Sequence, residues 1–200
     1  MNLILASTSP YRRKLLERLH LPFTYVDPAV EETIQQGESP ADRACRLATE
    51  KAAAAAKNLE TEAIVIGSDQ VACLGTRILH KPGTTEAAEK QLATSSGQTI
   101  YFWTAVSLLV CPAQTHRQRL VPCEVKMREL SAAEITHYVE LDRPLDCAGS
   151  FKWESLGITL FEGMHTNDPT ALEGLPLIAL GELLREAGIS LPLAAQPGQH

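Results

Sequence analysis

The residues able to do chemistry in this sequence are a few cations and acids placed where one element of the chain gives way to another. The segment Ser7-Thr8-Ser9-Pro10-Tyr11-Arg12-Arg13-Lys14 gathers hydroxyls and cations at what reads as the start of a helix. A helix N-terminus carries unpaired N–H groups and a partial positive charge, so the segment could cradle a phosphate. It could equally be an N-cap followed by solvated basic side chains. Lys51 falls on the apolar stripe of an alanine-rich helix, where a lysine must snorkel to water or meet an anion. Lys81, in His80-Lys81-Pro82-Gly83, lies on a turn from which a cation can reach a ligand or simply face solvent. Asp69 follows the run Ala63-Ile64-Val65-Ile66-Gly67 and reads as the C-terminal end of a strand, the edge where open α/β sheets place ligands. A carboxylate there could hold Mg²⁺ or take a proton from an attacking water, or serve as an Asx-turn or helix cap. Glu31 and Glu32 form a second acidic pair in a loop. A later polar loop contains Asp146, Lys152, Trp153 and Glu154, of which Glu154 could accept hydrogen bonds from a base edge or lie on the surface without a role. Converging cations with separated acids at element junctions are what metal-assisted chemistry on a polyphosphate requires.

Other chemistries find no support. Walker A and G-x-G-x-x-G glycines are absent, as are H-E-x-x-H and G-x-S-x-G. The formal net charge of -6 leaves no excess of Lys and Arg to cover nucleic acid or an acidic membrane. Five cysteines, odd in number and without a C-x-x-C pair, suggest neither a disulfide framework nor a zinc site, which favours a reducing compartment and a cytoplasmic protein. No segment is apolar for long enough to span a membrane, and the start reads as a buried strand instead of a signal peptide.

The elements that must hold these residues follow from periodicity. Leu3 to Ala6 reads as a strand running into a helix capped at Ser9-Pro10, and Phe23 to Val26 as a short strand. Ser39-Pro40 opens a helix whose apolar face is Ala44, Leu47, Ala48, Ala52 and Ala55. Ala63 to Gly67 is a buried strand ending at Ser68-Asp69-Gln70, and a helix is expected over Thr84 to Ala93. A long hairpin follows from Ile100 to Val110 and Leu120 to Met127, joined by a polar turn at Pro112 to Gln118. Ser131 to Glu134 is a capping box, Asp146 to Gly157 a loop, Ile158 to Phe161 a strand, and a last helix runs from Pro176 to a stop at Gly188. This mixture argues for an α/β fold with a mixed sheet, in one domain over residues 1–192 with a tail over 193–200.

From about Leu3 to Leu184 the chain resembles the Maf family of nucleotide pyrophosphatases. The resemblance rests on Leu5-Ala6-Ser7-Thr8-Ser9-Pro10-Tyr11-Arg12-Arg13, Val30-Glu31-Glu32, Leu47-Ala48-Thr49-Glu50-Lys51-Ala52, Gly67-Ser68-Asp69, Lys81-Pro82, Ser96-Gly97 and Asp146-Cys147-Ala148-Gly149-Ser150-Phe151, in that order. It implies a fold like that of inosine triphosphate pyrophosphatases, with two lobes around one substrate cleft beside an elongated mixed sheet flanked by helices, and a homodimer. It implies hydrolysis of a nucleoside triphosphate between the α and β phosphates. Ser7, Arg12, Arg13, Lys51 and Lys81 would bind the triphosphate, Glu31 and Asp69 would surround a divalent metal (Mg²⁺, Mn²⁺ or Co²⁺) and the attacking water, and Asp69 would be the general base. Tyr11, Gln70 and Glu154 look like the branch that hydrolyses 7-methyl-GTP, with Tyr11 where that branch has Trp. The alternatives are preference for dTTP and UTP or a broader set of modified nucleotides, and, in another class, a nucleotide-sensing regulator of cell division.

Overall fold

A computed structural model describes residues 2–57 and 59–194, so the expected tail lies outside the described residues from 195 onward. The chain divides into two compact units, one drawn from Met1–Gln70, Thr104–Val121 and Asp168–His200, the other from Val71–Trp103 and Pro122–Asn167. Parallel and antiparallel strand pairs occur together with α-helices, so the fold is α/β with a mixed sheet.

In the first unit, strand β1 (Asn2–Ala6) pairs in parallel with both β2 (Thr24–Val26) and β3 (Ala63–Leu74), in a register that sets Ala6 beside Gly67. The hydrogen-bonded order continues through β5 (Thr99–Cys111) to β6 (Thr115–Met127). Helix α1 (Pro10–Glu17) starts where the sequence places it. Ser9 Oγ accepts from the Arg12 N–H, and Pro10 occupies the first turn, where its missing N–H costs no helical bond. It buries Leu15 and Leu16 with Leu3, Leu5, Ile64 and Ile66, and with Leu180, Leu183 and Leu184 of α5 (Leu177–Glu186). Each such side chain contributes roughly 1.5–3 kcal/mol on leaving water, which fixes α1 over the end of β1.

Helix α2 (Pro40–Ala56) is anchored differently, by backbone proximity. A Cβ at Gly67 would lie 2.1 Å from the Ala48 carbonyl oxygen and 2.7 Å from the Ala52 nitrogen. Only glycine there lets α2 lie directly on β3, with Ala44, Leu47, Ala48 and Ala52 buried beneath it. That close approach brings Lys51 to the strand that carries Asp69.

The second unit holds β4 (Arg77–Leu79), antiparallel to the end of β3, and β7 (Phe161–Thr166), antiparallel to β6. Helices α3 (Thr85–Ser95) and α4 (Ala132–Asp142) complete it, and α4 begins with the expected capping box of Ser131 and Glu134. Phe102, Phe151 and Phe161 meet edge to face, with ring centroids 5.6 Å and 4.8 Å apart. Among the described residues no helix is long and apolar enough to cross a membrane.

Several expectations are corrected. Asp69 lies inside a twelve-residue strand, not at its C-terminal end, because Val71, Ala72 and Cys73 are buried and Ala72, Cys73 and Leu74 pair with β4. The turn expected over Pro112 to Gln118 is shorter, since β6 already begins at Thr115. Ile158 to Leu160 belongs to a 3₁₀ helix (Leu156–Leu160) and strand pairing starts only at Phe161. At Gly157 a Cβ would lie 2.4 Å from the Lys152 carbonyl oxygen, so the chain is folded back too tightly there to be extended. Strand β4 and a second 3₁₀ helix (Pro169–Glu173) have no counterpart in the periodicity.

Candidate active site

The first unit brings Ser7, Arg12, Lys51 and Asp69 together. Lys51 is the hub. Its side chain is 8% exposed, and its ammonium lies 2.6 Å from Asp69 Oδ1 and 2.6 Å from Glu32 Oε1. The lysine that had to snorkel or find an anion has found two. Arg12 lies half-buried at the start of α1, with its Nε donating to the Gly174 carbonyl at 2.8 Å and Nη1 to Ser7 Oγ at 3.5 Å. Burial lowers the Arg12 pKa, and the charges of Asp69 and Glu32 act against that lowering. Ser7 is buried, and its Oγ also accepts from the Ser9 N–H at 3.1 Å, which ties the strand end to the helix start.

Asp69 is buried, and desolvation raises its pKa, opposed by the charges of Lys51 and Arg12 and the hydrogen bond from Lys51. Glu32 adds a small further rise. A carboxylate held above its ordinary value is a better proton acceptor, which suits a general base working near neutral pH. The strand explains its direction. Successive residues of β3 alternate in facing, so Asp69 points to Lys51 while Ser68 and Gln70 point the other way.

Two carboxylates on one cation also bear on metal binding. The Lys51 ammonium occupies the place between Glu32 and Asp69 that a positive ion would favour, and Mg²⁺-type sites commonly use one or two carboxylates completed by substrate phosphates. Among the described residues no group of three or more His, Cys, Asp or Glu side chains could hold a metal. Glu32 and Asp69 match in number the carboxylates of such a site, and Lys51 contacts both.

Both acids of the Glu31-Glu32 pair are exposed, and the one that reaches Lys51 is Glu32. The loop is held by α2: Arg43 Nη2 donates to the Glu32 carbonyl at 2.8 Å, and Arg46 binds the Thr33 carbonyl and the Glu38 carboxylate. Two arginines of α2 thus hold the loop that carries these acids. We expect Glu32→Gln to lower kcat/KM by about tenfold or more and Glu31→Gln to change it by less than about twofold, measured side by side at saturating metal. Equal losses from both would remove the distinction.

The remaining sequence candidates lie elsewhere. The Arg13 guanidinium stacks over the Tyr25 ring, 4.4 Å from its centroid. Tyr11 is half-buried in the first turn of α1. Gln70 commits its amide nitrogen to Thr104 Oγ1 and to the Ala171 and Leu172 carbonyls, at 3.1, 2.7 and 3.2 Å. Lys81 and Glu154 belong to the second unit and are exposed. The turn after Lys81 is pinned by the Gly83 N–H on the Leu145 carbonyl. The loop carrying Glu154 is anchored to α4 by Lys152 Nζ on the Asp142 carbonyl and Ser155 Oγ on the Asp142 carboxylate. Sequence reasoning passed over Glu32 as the acid on Lys51, and it passed over Ser68, Thr104 and Gly174. A serine and a threonine inside apolar strands were the available signal, because buried hydroxyls require partners.

Relatives from Xanthomonas oryzae pv. oryzae (55% identity, covering 95% of this chain and 98% of theirs) and Aromatoleum aromaticum (54%, 95% and 97%) are each named 7-methyl-GTP pyrophosphatase. So is one from Idiomarina loihiensis (49%, 94% and 96%). Among solved structures, a nucleoside-triphosphatase/dITP/XTP pyrophosphatase from Mycobacterium abscessus aligns over 96% of this chain and 99% of its own, at 17% identity and a TM-score of 0.46. The family model described as Maf-like protein matches residues 2–187, and with these relatives it shows that the chain belongs to the Maf family.

Proposed function

We propose that this protein hydrolyses 7-methyl-GTP to 7-methyl-GMP and diphosphate. The observation that carries the hydrolytic part is the buried Asp69, raised in pKa and held by Lys51 beside Glu32 and Arg12. The choice of base is supported by the names of the relatives and by Tyr11, Gln70 and Glu154.

Arg12, Arg13, Lys51, Lys81 and Ser7 bind the triphosphate oxygens in this reading, and the N-terminus of α1 adds unpaired N–H groups. Asp69 accepts a proton from a water whose oxygen attacks the α-phosphorus. The bond from that phosphorus to the bridging oxygen breaks, and diphosphate leaves with the electron pair. Glu32 takes the metal-side role that the resemblance gave to Glu31, jointly with Asp69. A divalent ion there, Mg²⁺, Mn²⁺ or Co²⁺, supplies polarisation of a phosphoryl oxygen when bound. Glu154 pairs with the donor edge of the cationic 7-methylguanine, and Tyr11 stacks on its ring. The homodimer and the cytoplasmic location implied by the resemblance belong to the same proposal.

A panel of nucleoside triphosphates, each incubated with the protein and Mg²⁺, Mn²⁺ or Co²⁺, tests this. Diphosphate release is expected to be fastest from 7-methyl-GTP, and no release from any of them overturns the reading. Glu154→Gln is expected to cost 7-methyl-GTP about ten- to a hundredfold in kcat/KM, by loss of one charged hydrogen-bond partner, with smaller change for dTTP and UTP. Faster turnover of dTTP or UTP by the unaltered protein would favour the other branch.

A further inference from the structure

The turn at 168–174 receives more side chains than its own structure needs. Gly174 sits at φ +99, and its carbonyl oxygen accepts from Arg12 Nε and Ser68 Oγ, both at 2.8 Å. Ser68 is fully buried, and its Oγ lies 2.8 Å from the Ala105 carbonyl of β5 as well, so the two carbonyls share one hydroxyl proton. The Ala171 carbonyl accepts from Gln70 Nε2 at 2.7 Å and from Thr104 Oγ1 at 2.9 Å. The residues on either side of Asp69 are therefore both bonded to this turn, and so is Arg12.

The turn is itself fixed. Asp168 is buried, and its carboxylate accepts from the Thr170 N–H and hydroxyl through Oδ1 and from the Ile178 and Ala179 N–H groups through Oδ2. One acid thus caps both the 3₁₀ helix and the start of α5, where unpaired donors and a partial positive charge favour an anion. With the turn's ends pinned in this way, its carbonyls are rigid acceptors instead of loop atoms free to follow whatever bonds to them.

We propose that Gly174 and Ser68 are positioning residues for Arg12, and that the 168–174 turn sets the registry between Arg12 and Asp69. The inference rests on the reading of Arg12 as a phosphate ligand and Asp69 as the base, and it assigns to Gln70 a role exerted through the turn. The shared Gly174 oxygen links the two: it accepts from Arg12 and from Ser68, the strand residue preceding Asp69. A side chain at Gly174 bears on Arg12: a Cβ there would lie 3.3 Å from Arg12 Nε, so the guanidinium must give by a few tenths of an ångström, at a backbone angle that L residues rarely adopt. Serine at 68 has a matching logic, since a buried hydroxyl gains its place only by the bonds it makes.

The test is a double-mutant cycle on the full-length protein, because a purely structural defect adds to an Arg12 defect while a positioning defect is absorbed by it. Ser68→Ala is expected to lower kcat/KM for 7-methyl-GTP about fivefold. Gly174→Ala, the second variant, is expected to raise KM about tenfold, as the guanidinium is pushed from its place. In an Arg12→Ala background each is expected to cost less than about twofold more. Unchanged kinetics in both single variants, or equal losses with and without Arg12, overturn the proposal. The same cycle read by calorimetric binding of an α,β-methylene analogue of 7-methyl-GTP separates the two claims. Analogue binding with coupled losses but no turnover of 7-methyl-GTP removes the hydrolysis reading and leaves the positioning role standing. Turnover with additive losses does the reverse, and no analogue binding at all overturns both.

Discussion

Replacing Asp69 with Asn is expected to lower kcat/KM by about a thousandfold, the ordinary scale for removing a positioned general base, without unfolding the protein. The stability side has a definite sign. Burial raises the folded-state pKa of Asp69 above its ordinary value of 3.8, so the native protein holds that proton more tightly than the unfolded chain does. The corresponding stabilisation is fully present below the unfolded pKa and is lost as pH rises through the folded one. At neutral pH this proton-linked contribution therefore weighs against folding, and Asn removes its pH dependence while leaving the buried Lys51 ammonium with Glu32 as its remaining acid. The Tm of Asp69→Asn minus that of the unaltered protein should increase between about pH 3.5 and pH 7, and a difference that shrinks over this range would contradict the raised pKa. The activity of the unaltered protein should fall on the acid side with a midpoint above 3.8, the position at which this base takes up its proton.

Replacing Lys51 with Met is expected to damage both stability and catalysis. The ammonium is the only cation within salt-bridge distance of Asp69 among the described residues, and both side chains are 8% exposed. Removing one partner of a buried pair leaves the other charge uncompensated, at a typical cost of about 3 kcal/mol or more. The Glu32 side chain is 53% exposed, so its half of the interaction is screened by solvent and adds little to that figure. Lys51 also lowers the Asp69 pKa, and without it the carboxyl should hold its proton to higher pH. The acid limb of the pH profile is expected to move upward, with kcat/KM at neutral pH down about a hundredfold. Lys51→Arg keeps a charge but not the geometry. Two separate 2.6 Å contacts suit a compact ammonium on a flexible stem better than a planar guanidinium, so only partial rescue is expected. Chemical denaturation and a pH series on the same preparations measure both effects. A Met variant with unchanged stability and an unmoved acid limb would show that the pair is not what holds Asp69.

These two residues also mark the boundary between what was legible in the sequence and what was not. Local signals were sufficient for the helix starts: Ser9-Pro10, Ser39-Pro40 and the Ser131 capping box all operate where the sequence places them, because a cap is satisfied within three or four residues. The same holds for the stripe that carries Lys51, since helical spacing alone puts it on the buried face of α2. The candidate acids and cations were visible for a related reason. Buried or clustered charge is uncommon enough that residue type and position single it out.

What required the tertiary structure was every choice that depends on distance along the chain. Whether Lys51 snorkelled or paired was settled by Gly67, whose missing side chain lets α2 lie on β3. Which glutamate of two neighbours reaches Lys51 was settled in three dimensions, with Arg43 and Arg46 holding the loop's backbone. Asp69 could not be read as a mid-strand residue, because the end of β3 pairs with β4, a strand of three residues with no periodicity to announce it. The anchoring of Arg12 on Gly174 spans 162 positions, and that of Ser68 on the same oxygen 106. The sequence by itself determined which residue types could act on a polyphosphate and which helices would carry them. Only the fold decided which of them meet, since a hydrogen bond is set by ångströms in space and periodicity reaches no further than the next turn.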